Sequence, residues 1–203
     1  MAPESPSGYD WFMATVPQPW FTPEEYVVLE NQSEIKHEYH AGRMYAMSWA
    51  SMPHNELQMN LYREVSIRLK GSSCKSYPSD LRIWIEEDGS MTYPDLSIFC
   101  ATPTSVKGLS NSFVNPICII EVLSPSTESY DRGKKFDIYR QIPTLQEYVL
   151  ITQSEPAVDL FRRQANGNWD YVPLRGVNAV LELTSASIQI PLSEIYFGIT
   201  FDA

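Results

Sequence analysis

Glu121 is the only charged residue in the run Ile117-Cys118-Ile119-Ile120-Glu121-Val122-Leu123. An isolated ionised carboxylate in such a strand costs on the order of several kcal/mol. Something must compensate: a basic partner, a raised pKa, or a cation. A second acid, Asp95, follows a proline in Tyr93-Pro94-Asp95-Leu96-Ser97-Ile98-Phe99, which reads as another half-apolar strand. If that strand pairs beside 117–123, the two carboxylates can converge on one metal-sized gap. Two carboxylates completed by water and phosphate oxygens are a common way of holding a hard cation such as Mg²⁺. Just downstream, Asp131-Arg132-Gly133-Lys134-Lys135-Phe136 is the densest basic cluster of the chain. On a helix Lys135 shares its stripe with Ile138, Tyr139 and Ile142, whereas Lys134 lines up with Asp137, Ile138 and Gln141. Lys135 therefore points inward. There it can neutralise carboxylates as a plain ion pair, or stabilise a pentavalent phosphate or orient a water.

Positioning these residues takes a set of elements that the sequence outlines. Residues 1–20, rich in Pro, Ser and Gly but carrying Trp11, Phe12 and Trp20, read as an irregular arm able to dock on a partner subunit. Thr22-Pro23-Glu24-Glu25 has the form of a helix start, with Thr as cap and Glu reaching back, running to about Asn31. A hairpin is expected around Ala41-Gly42. Ser51-Met52-Pro53 opens a second helix with Leu57, Leu61, Val65 and Leu69 at four-residue intervals, closing at Gly71. Leu81, Ile83 and Ile85 alternate with polar residues, Glu87-Asp88-Gly89 turns, and 91–100 returns as one strand. Residues 101–116 read as a loop, 117–123 as a strand covered on both faces, and 129–141 as a helix. Strands follow at 147–152, 157–164 and 169–174, with a short closing helix at 191–196. The order argues for an α/β fold with a mixed sheet, as a single domain over 21–203.

The chain has 203 residues, 43% hydrophobic and 20% charged, which excludes wholesale disorder. With 15 Lys+Arg against 25 Asp+Glu, the formal charge is −10. That excludes a protein devoted to sequence-independent coating of nucleic acid, which needs a basic footprint. It leaves open an enzyme that meets phosphates through bound cations. No apolar run approaches the ~20 residues of a membrane helix, and the N-terminus lacks the build of a signal peptide. A cytoplasmic location with no membrane partner is the expectation. Cys74, Cys100 and Cys118 form no CxxC pair and read as free core cysteines.

Pro94-Asp95 followed by Glu121-Val122-Leu123 resembles the PD-(D/E)xK nuclease pattern, with Leu123 standing where its last lysine belongs. The longer string Ile119-Ile120-Glu121-Val122-Leu123-Ser124-Pro125-Ser126-Thr127, with Asp131-Arg132-Gly133 and Lys135 through Tyr139, resembles the Uma-type restriction endonuclease family. The similarity runs from about Thr22 to Tyr196. In that family the lysine has moved to the following helix, and Lys135 is the matching position. The resemblance implies a restriction-endonuclease-like core: a mixed central β-sheet flanked by helices, carboxylates at one end, with an N-terminal arm, helix and hairpin added. It also implies DNA as substrate, where the residues alone imply a phosphate ester. Asp95 and Glu121 would hold Mg²⁺ or Mn²⁺, and Lys135 would steady the attacking water or the developing charge. Three further residues are candidates for support. Glu38 matches an acid before the hairpin turn, against an ordinary exposed hairpin Glu. His54 could touch Asp95 or a phosphate, against a capping histidine. Asp80 could add a ligand, against a turn Asp. Weak, cation-dependent engagement of DNA by a homodimer is expected. The competing expectation is a catalytically degenerate member, in which a Lys135–Glu121 ion pair replaces the metal site of an interaction or scaffolding module.

Overall fold

A computed structural model describes residues 20–47, 49–125 and 127–201. The expected arm over 1–20 lies, apart from Trp20, outside the described residues. Helix α1 (Pro23–Glu30) begins at Thr22, whose Oγ1 accepts from the Glu25 amide at 3.2 Å while the Glu25 carboxylate accepts from the Thr22 amide at 2.8 Å. This reciprocal cap satisfies two donors that the first helical turn leaves over. Strands β1 (His37–His40) and β2 (Arg43–Ala46) are joined by Ala41 and Gly42, at φ +47° and +82°. A two-residue turn with both φ positive matches the strand twist. Gly42 is also required by a close approach, since a Cβ there would lie 2.2 Å from Cε3 of Trp20. Helix α2 (Met52–Leu69) is capped by Ser51 and buries Leu57, Leu61, Val65 and Leu69, one stripe at four-residue spacing.

The remaining strands are β3 (Lys75–Pro78), β4 (Arg82–Ile85), β5 (Ser90–Thr92), β6 (Leu96–Phe99), β7 (Ser105–Val106), β8 (Leu109–Phe113), β9 (Cys118–Val122), β10 (Glu147–Ile151), β11 (Ala157–Arg163), β12 (Trp169–Arg175), β13 (Val180–Leu183) and β14 (Ile188–Pro191). They form two mixed sheets, ordered β2-β1-β5-β4-β8-β7 and β12-β11-β10-β9-β6-β3, and the hairpin β13-β14. In the second sheet β9 lies between antiparallel β6 and parallel β10. The crossover from β9 to β10 is helical: α3 (Glu128–Tyr130), a π-helical turn (Asp131–Lys135), then α4 (Phe136–Tyr139). The chain closes with α5 (Leu192–Ile195).

Alternation along β9 decides what each side chain meets. Cys118, Ile120 and Val122 enter a core with α2, the β13-β14 hairpin and α5. Ile119 and Leu123 enter a second core with Ile138, Tyr139, Ile142 and Leu145, on the side of the helical crossover. Glu121 has the parity of this second side. Burying Ile119, Ile120, Val122 and Leu123 contributes about 1.5–3 kcal/mol each, so the strand holds despite one costly carboxylate.

Four regions differ from the expectation. The return strand at 91–100 divides: β5 pairs with β4, but β6 pairs with β3 and β9 in the other sheet. Pro94 carries no N–H for the ladder and restrains Tyr93, so pairing breaks there and the chain changes sheet. Residues 101–116 contain β7 and β8, turning at Gly108 with φ +88°. Their polar composition hid them, since pairing with β4 rather than apolar alternation holds β8. The β13-β14 hairpin was not foreseen. Cys74 and Cys100 are not free but joined in a disulfide. The register of β3 with β6, Lys75 opposite Phe99, brings the next residues on each strand face to face. Cys118 is a buried free cysteine, as expected.

Candidate active site

Asp95 stands at the point where the chain passes between sheets, and the pairing of Leu96 with Ile120 sets it beside Glu121. The Asp95 amide donates to Oε2 of Glu121 at 3.1 Å, and the Val122 amide donates back to Oδ2 of Asp95 at 2.7 Å. Two neighbours from α2 hold Asp95 in place: the Gln58 amide donates to Oδ1 at 2.5 Å, and Tyr62 donates to its carbonyl at 2.7 Å. His54, in the first turn of α2, brings Nε2 within 3.3 Å of Oδ2. The expected ligand pair is therefore adjacent, with His54 against it.

Lys135 reaches the same point from the π-helical turn. Its Nζ lies 2.8 Å from Oε1 of Glu121, 3.3 Å from Oε1 of Glu38 and 3.5 Å from Oδ1 of Asp131. Tyr139, one turn on, donates to the same Oε1 of Glu121 at 2.9 Å. Glu38 comes from β1, and its Oε2 lies 3.3 Å from Nε2 of His40, which also meets the Tyr130 hydroxyl at 2.8 Å. Asp131 is fixed by Thr127, whose hydroxyl donates to Oδ2 at 2.7 Å. Glu121 is 4% exposed and Lys135 7%. Asp80 is not in this group. It is exposed at the surface, paired with Lys36 at 2.5 Å.

Three carboxylates thus surround one ammonium, with Asp95 bonded to the far oxygen of Glu121. Burial would lower the Lys135 ammonium, but Glu121 and Glu38 hold it well above its ordinary value, so it stays cationic. Burial opposes ionisation of Glu38 too, yet Lys135 and His40 keep its carboxyl at about 2. Glu121 goes the other way. Burial, joined by the nearby charges of Asp95 and Asp131, outweighs Lys135 and pushes it up to about 8. Burial likewise raises Asp131. Glu121 is accordingly where the cluster takes up a proton when no further positive charge is at hand.

The donor set fits a hard divalent cation in kind, being carboxylate oxygen throughout. Among the described residues no group of three or more His, Cys, Asp or Glu side chains has the geometry to hold a metal by itself. Asp95 and Glu121 would supply two ligands, leaving the rest of the shell to water and substrate. Three buried side-chain atoms of the described residues have no hydrogen bond, and two of them belong to this cluster: Oε1 of Glu38, which still has the Lys135 ammonium at 3.3 Å, and Nδ1 of His54. Unsatisfied buried polar atoms are rare, and a ligand is one of the things that satisfies them.

Sequence reasoning quoted Asp131 in its motif without giving it a role, passed over His40, Gln58 and Tyr130 as site residues, and took Tyr139 only as a core residue. Two of them left a signal. Asp131 stands four residues before Lys135, the spacing of a helical ion pair, and His40 stands two residues after Glu38, the spacing of one strand face. Gln58 and Tyr130 left none.

The mixed sheet flanked by helices, with its carboxylates on adjacent strands, defines a restriction-endonuclease-like α/β protein. A protein from Anabaena variabilis, described as a putative nuclease belonging to DUF820, shares this fold in its crystal structure. Its TM-score is 0.71 at 21% identity, over 87% of this chain and 97% of that one. The chain belongs to the Uma2 family, described as "Putative restriction endonuclease", whose model matches residues 23–193. Two proteins of Synechocystis sp. are similar along most of their length. They are the uncharacterised slr1290 (36% identical, 92% of this chain and 97% of the relative) and sll1609 (34%, 82% and 94%). No helix among the described residues is long and apolar enough to cross a membrane.

Proposed function

We propose that the protein is a Mg²⁺- or Mn²⁺-dependent endonuclease that hydrolyses DNA phosphodiester bonds at Asp95, Glu121 and Lys135. One observation carries this reading: carboxylates on two adjacent strands, locked together through Asp95 N–H and Glu121 Oε2 at 3.1 Å, lie beside a buried ammonium 2.8 Å from Glu121. The cluster holds more acidic side chains than its own lysine balances, which suits it to a cation. When bound, a divalent cation would polarise a phosphoryl oxygen and lower the pKa of an attacking water. Asp95 and Glu121 would hold it. The Val122 amide and Gln58 keep the Asp95 carboxylate from turning away. Lys135, held cationic by its neighbours, offers its N–H groups to the charge that develops on the phosphate. His54, with Nε2 3.3 Å from Asp95, would steady that carboxylate, and Glu38 would help hold Lys135 in place. Family membership supports DNA as the substrate.

A second reading has its own support. All four carboxylate oxygens of Asp95 and Glu121 already accept a hydrogen bond from the chain, as a degenerate site in an interaction or scaffolding module would require. Calorimetric titration with Mn²⁺, alongside plasmid cleavage, separates the two. Saturable binding lost in Glu121→Gln, with cleavage lost in Asp95→Ala and Lys135→Ala, supports the nuclease. Absence of binding and of cleavage by folded wild-type protein supports the module.

A further inference from the structure

Opposite the stripe that α2 buries, its outer face carries Met52, Glu56, Met59, Arg63 and Ile67, at spacings of four, three, four and four. These residues form one continuous row along the helix. All five are exposed, the apolar three at 74%, 65% and 62%. A row that alternates apolar, acidic, apolar, basic, apolar is unusual on a solvated face. The pattern is also symmetric about the point between residues 59 and 60. Turn the helix end for end about that point and Met52 falls on Ile67, Glu56 on Arg63, and Met59 on the neighbourhood of itself.

We propose that this face binds a second copy of the chain, α2 packing antiparallel on α2 about a two-fold axis near Met59. A two-fold contact must be self-complementary, each residue meeting its counterpart across the axis. This row meets that condition in both shape and charge. Met52 would pack on Ile67 at either end, and Met59 on Met59 at the centre. Glu56 would pair with Arg63 of the other copy, twice per dimer. Within one chain the two do not pair, being seven residues and about 10 Å apart along the helix. Among the described residues Glu56 has no ion-pair partner, while Arg63 gives Nε to Glu64 at 2.8 Å and lies over the ring of Phe197 at 6.0 Å. Phe197, 67% exposed, extends the apolar area beside the row. Methionine, aromatic residues and arginine are the types enriched at the centre of such contacts. The row uses none of the cluster's residues, although His54 and Gln58 of the same helix reach Asp95 from its other faces.

The test is the molar mass of the full-length chain across a concentration series, by sedimentation equilibrium. Wild type should show a monomer–dimer equilibrium. Glu56→Arg sets like charges opposite each other at two places and should weaken dimerisation by about tenfold or more. Glu56 is exposed and has no ion-pair partner among the described residues, so the circular dichroism spectrum should not change. Combining it with Arg63→Glu reverses both charges and should restore the dimer. A wild-type chain that stays monomeric would assign the face to a different protein and overturn the proposal. So would a dimer indifferent to Glu56→Arg, or one that the double reversal fails to restore.

Discussion

Glu121 and Glu147 are both buried glutamates on neighbouring parallel strands, and they are compensated in opposite ways. Glu147, wholly buried at the start of β10, accepts from Arg162 Nε (3.0 Å), from the Thr184 amide and hydroxyl (3.0 and 3.1 Å), and from the Ser185 amide and hydroxyl (3.2 and 2.5 Å). It serves as an anchor that ties β10 to the turn between β13 and β14. Glu121, near the end of β9, has one lysine, one tyrosine and one amide, and shares its space with other carboxylates. Hydrogen-bond donors surround the first, charge of its own sign crowds the second. A buried acid ringed by donors serves structure, whereas one left short of positive charge is what the proposed cation site would use. The placement agrees, since open α/β sheets take ligands at the carboxyl ends of their parallel strands.

The sharpest way to break this contrast is to remove each acid in turn. Glu147→Ala should lower unfolding free energy by about 3–5 kcal/mol, because Arg162 and the 184–185 donors are left without an acceptor. Glu121→Gln should change it by no more than about 1 kcal/mol at neutral pH. Urea denaturation measures both, and equal losses would dissolve the distinction. Activity should sort the other way. Asp95→Ala or Lys135→Ala should reduce plasmid cleavage by about 10²–10³-fold or more, while Glu147→Gln, per folded molecule, should cleave as wild type does.

Acidity sharpens the comparison further. Glu121, at about 8 when folded against an ordinary 4.5, binds its proton more tightly in the native state. Stability should therefore decline as pH rises between those values and level off above them, a slope that Glu121→Gln removes. Asp159, paired with Arg132 and Arg175, shows the reverse. Burial opposes its ionisation, but hydrogen bonds from Arg132, Arg175 and Tyr171 hold its carboxyl below its ordinary 3.8. Its contribution is complete above that value and disappears as pH falls through the lower folded one, so Asp159→Asn should flatten the acid limb of a thermal-melt series. The smallest effect is Mg²⁺ at ten times its dissociation constant, which should raise stability at pH 8 by about 1.4 kcal/mol. The same addition to Glu121→Gln should do nothing.

The residues most legible in the sequence were those that violate their surroundings. A lone Glu in an apolar strand, an Asp fixed behind a proline and a lysine on an inward helical stripe each announce themselves through cost or periodicity, and the structure places them together. Capping chemistry at Thr22 and the apolar rhythm of α2 were readable for the same reason. What escaped depends on pairing across distance. Strand β8, Leu-Ser-Asn-Ser-Phe, has no alternating apolar face and is ordered by β4 and β7. Gln58 reaches Asp95 only because α2 lies beside β6, and the disulfide follows from the register of β3 with β6. None of these follows from local composition.

The wide turn at Asp131–Lys135 carries a last consequence. A π-helical turn accommodates one residue more than an α-helical turn would. Deleting a single residue such as Gly133 would tighten it, swinging Thr127 and Asp131 by about 100° around the axis relative to an α4 still anchored by Ile138 and Tyr139. Segment length, as well as side-chain identity, thus keeps Asp131 in register with the ammonium. With Leu123 on the strand unable to provide that charge, a relative could lose the arrangement through one missing codon while every residue of the motif survives in its gene.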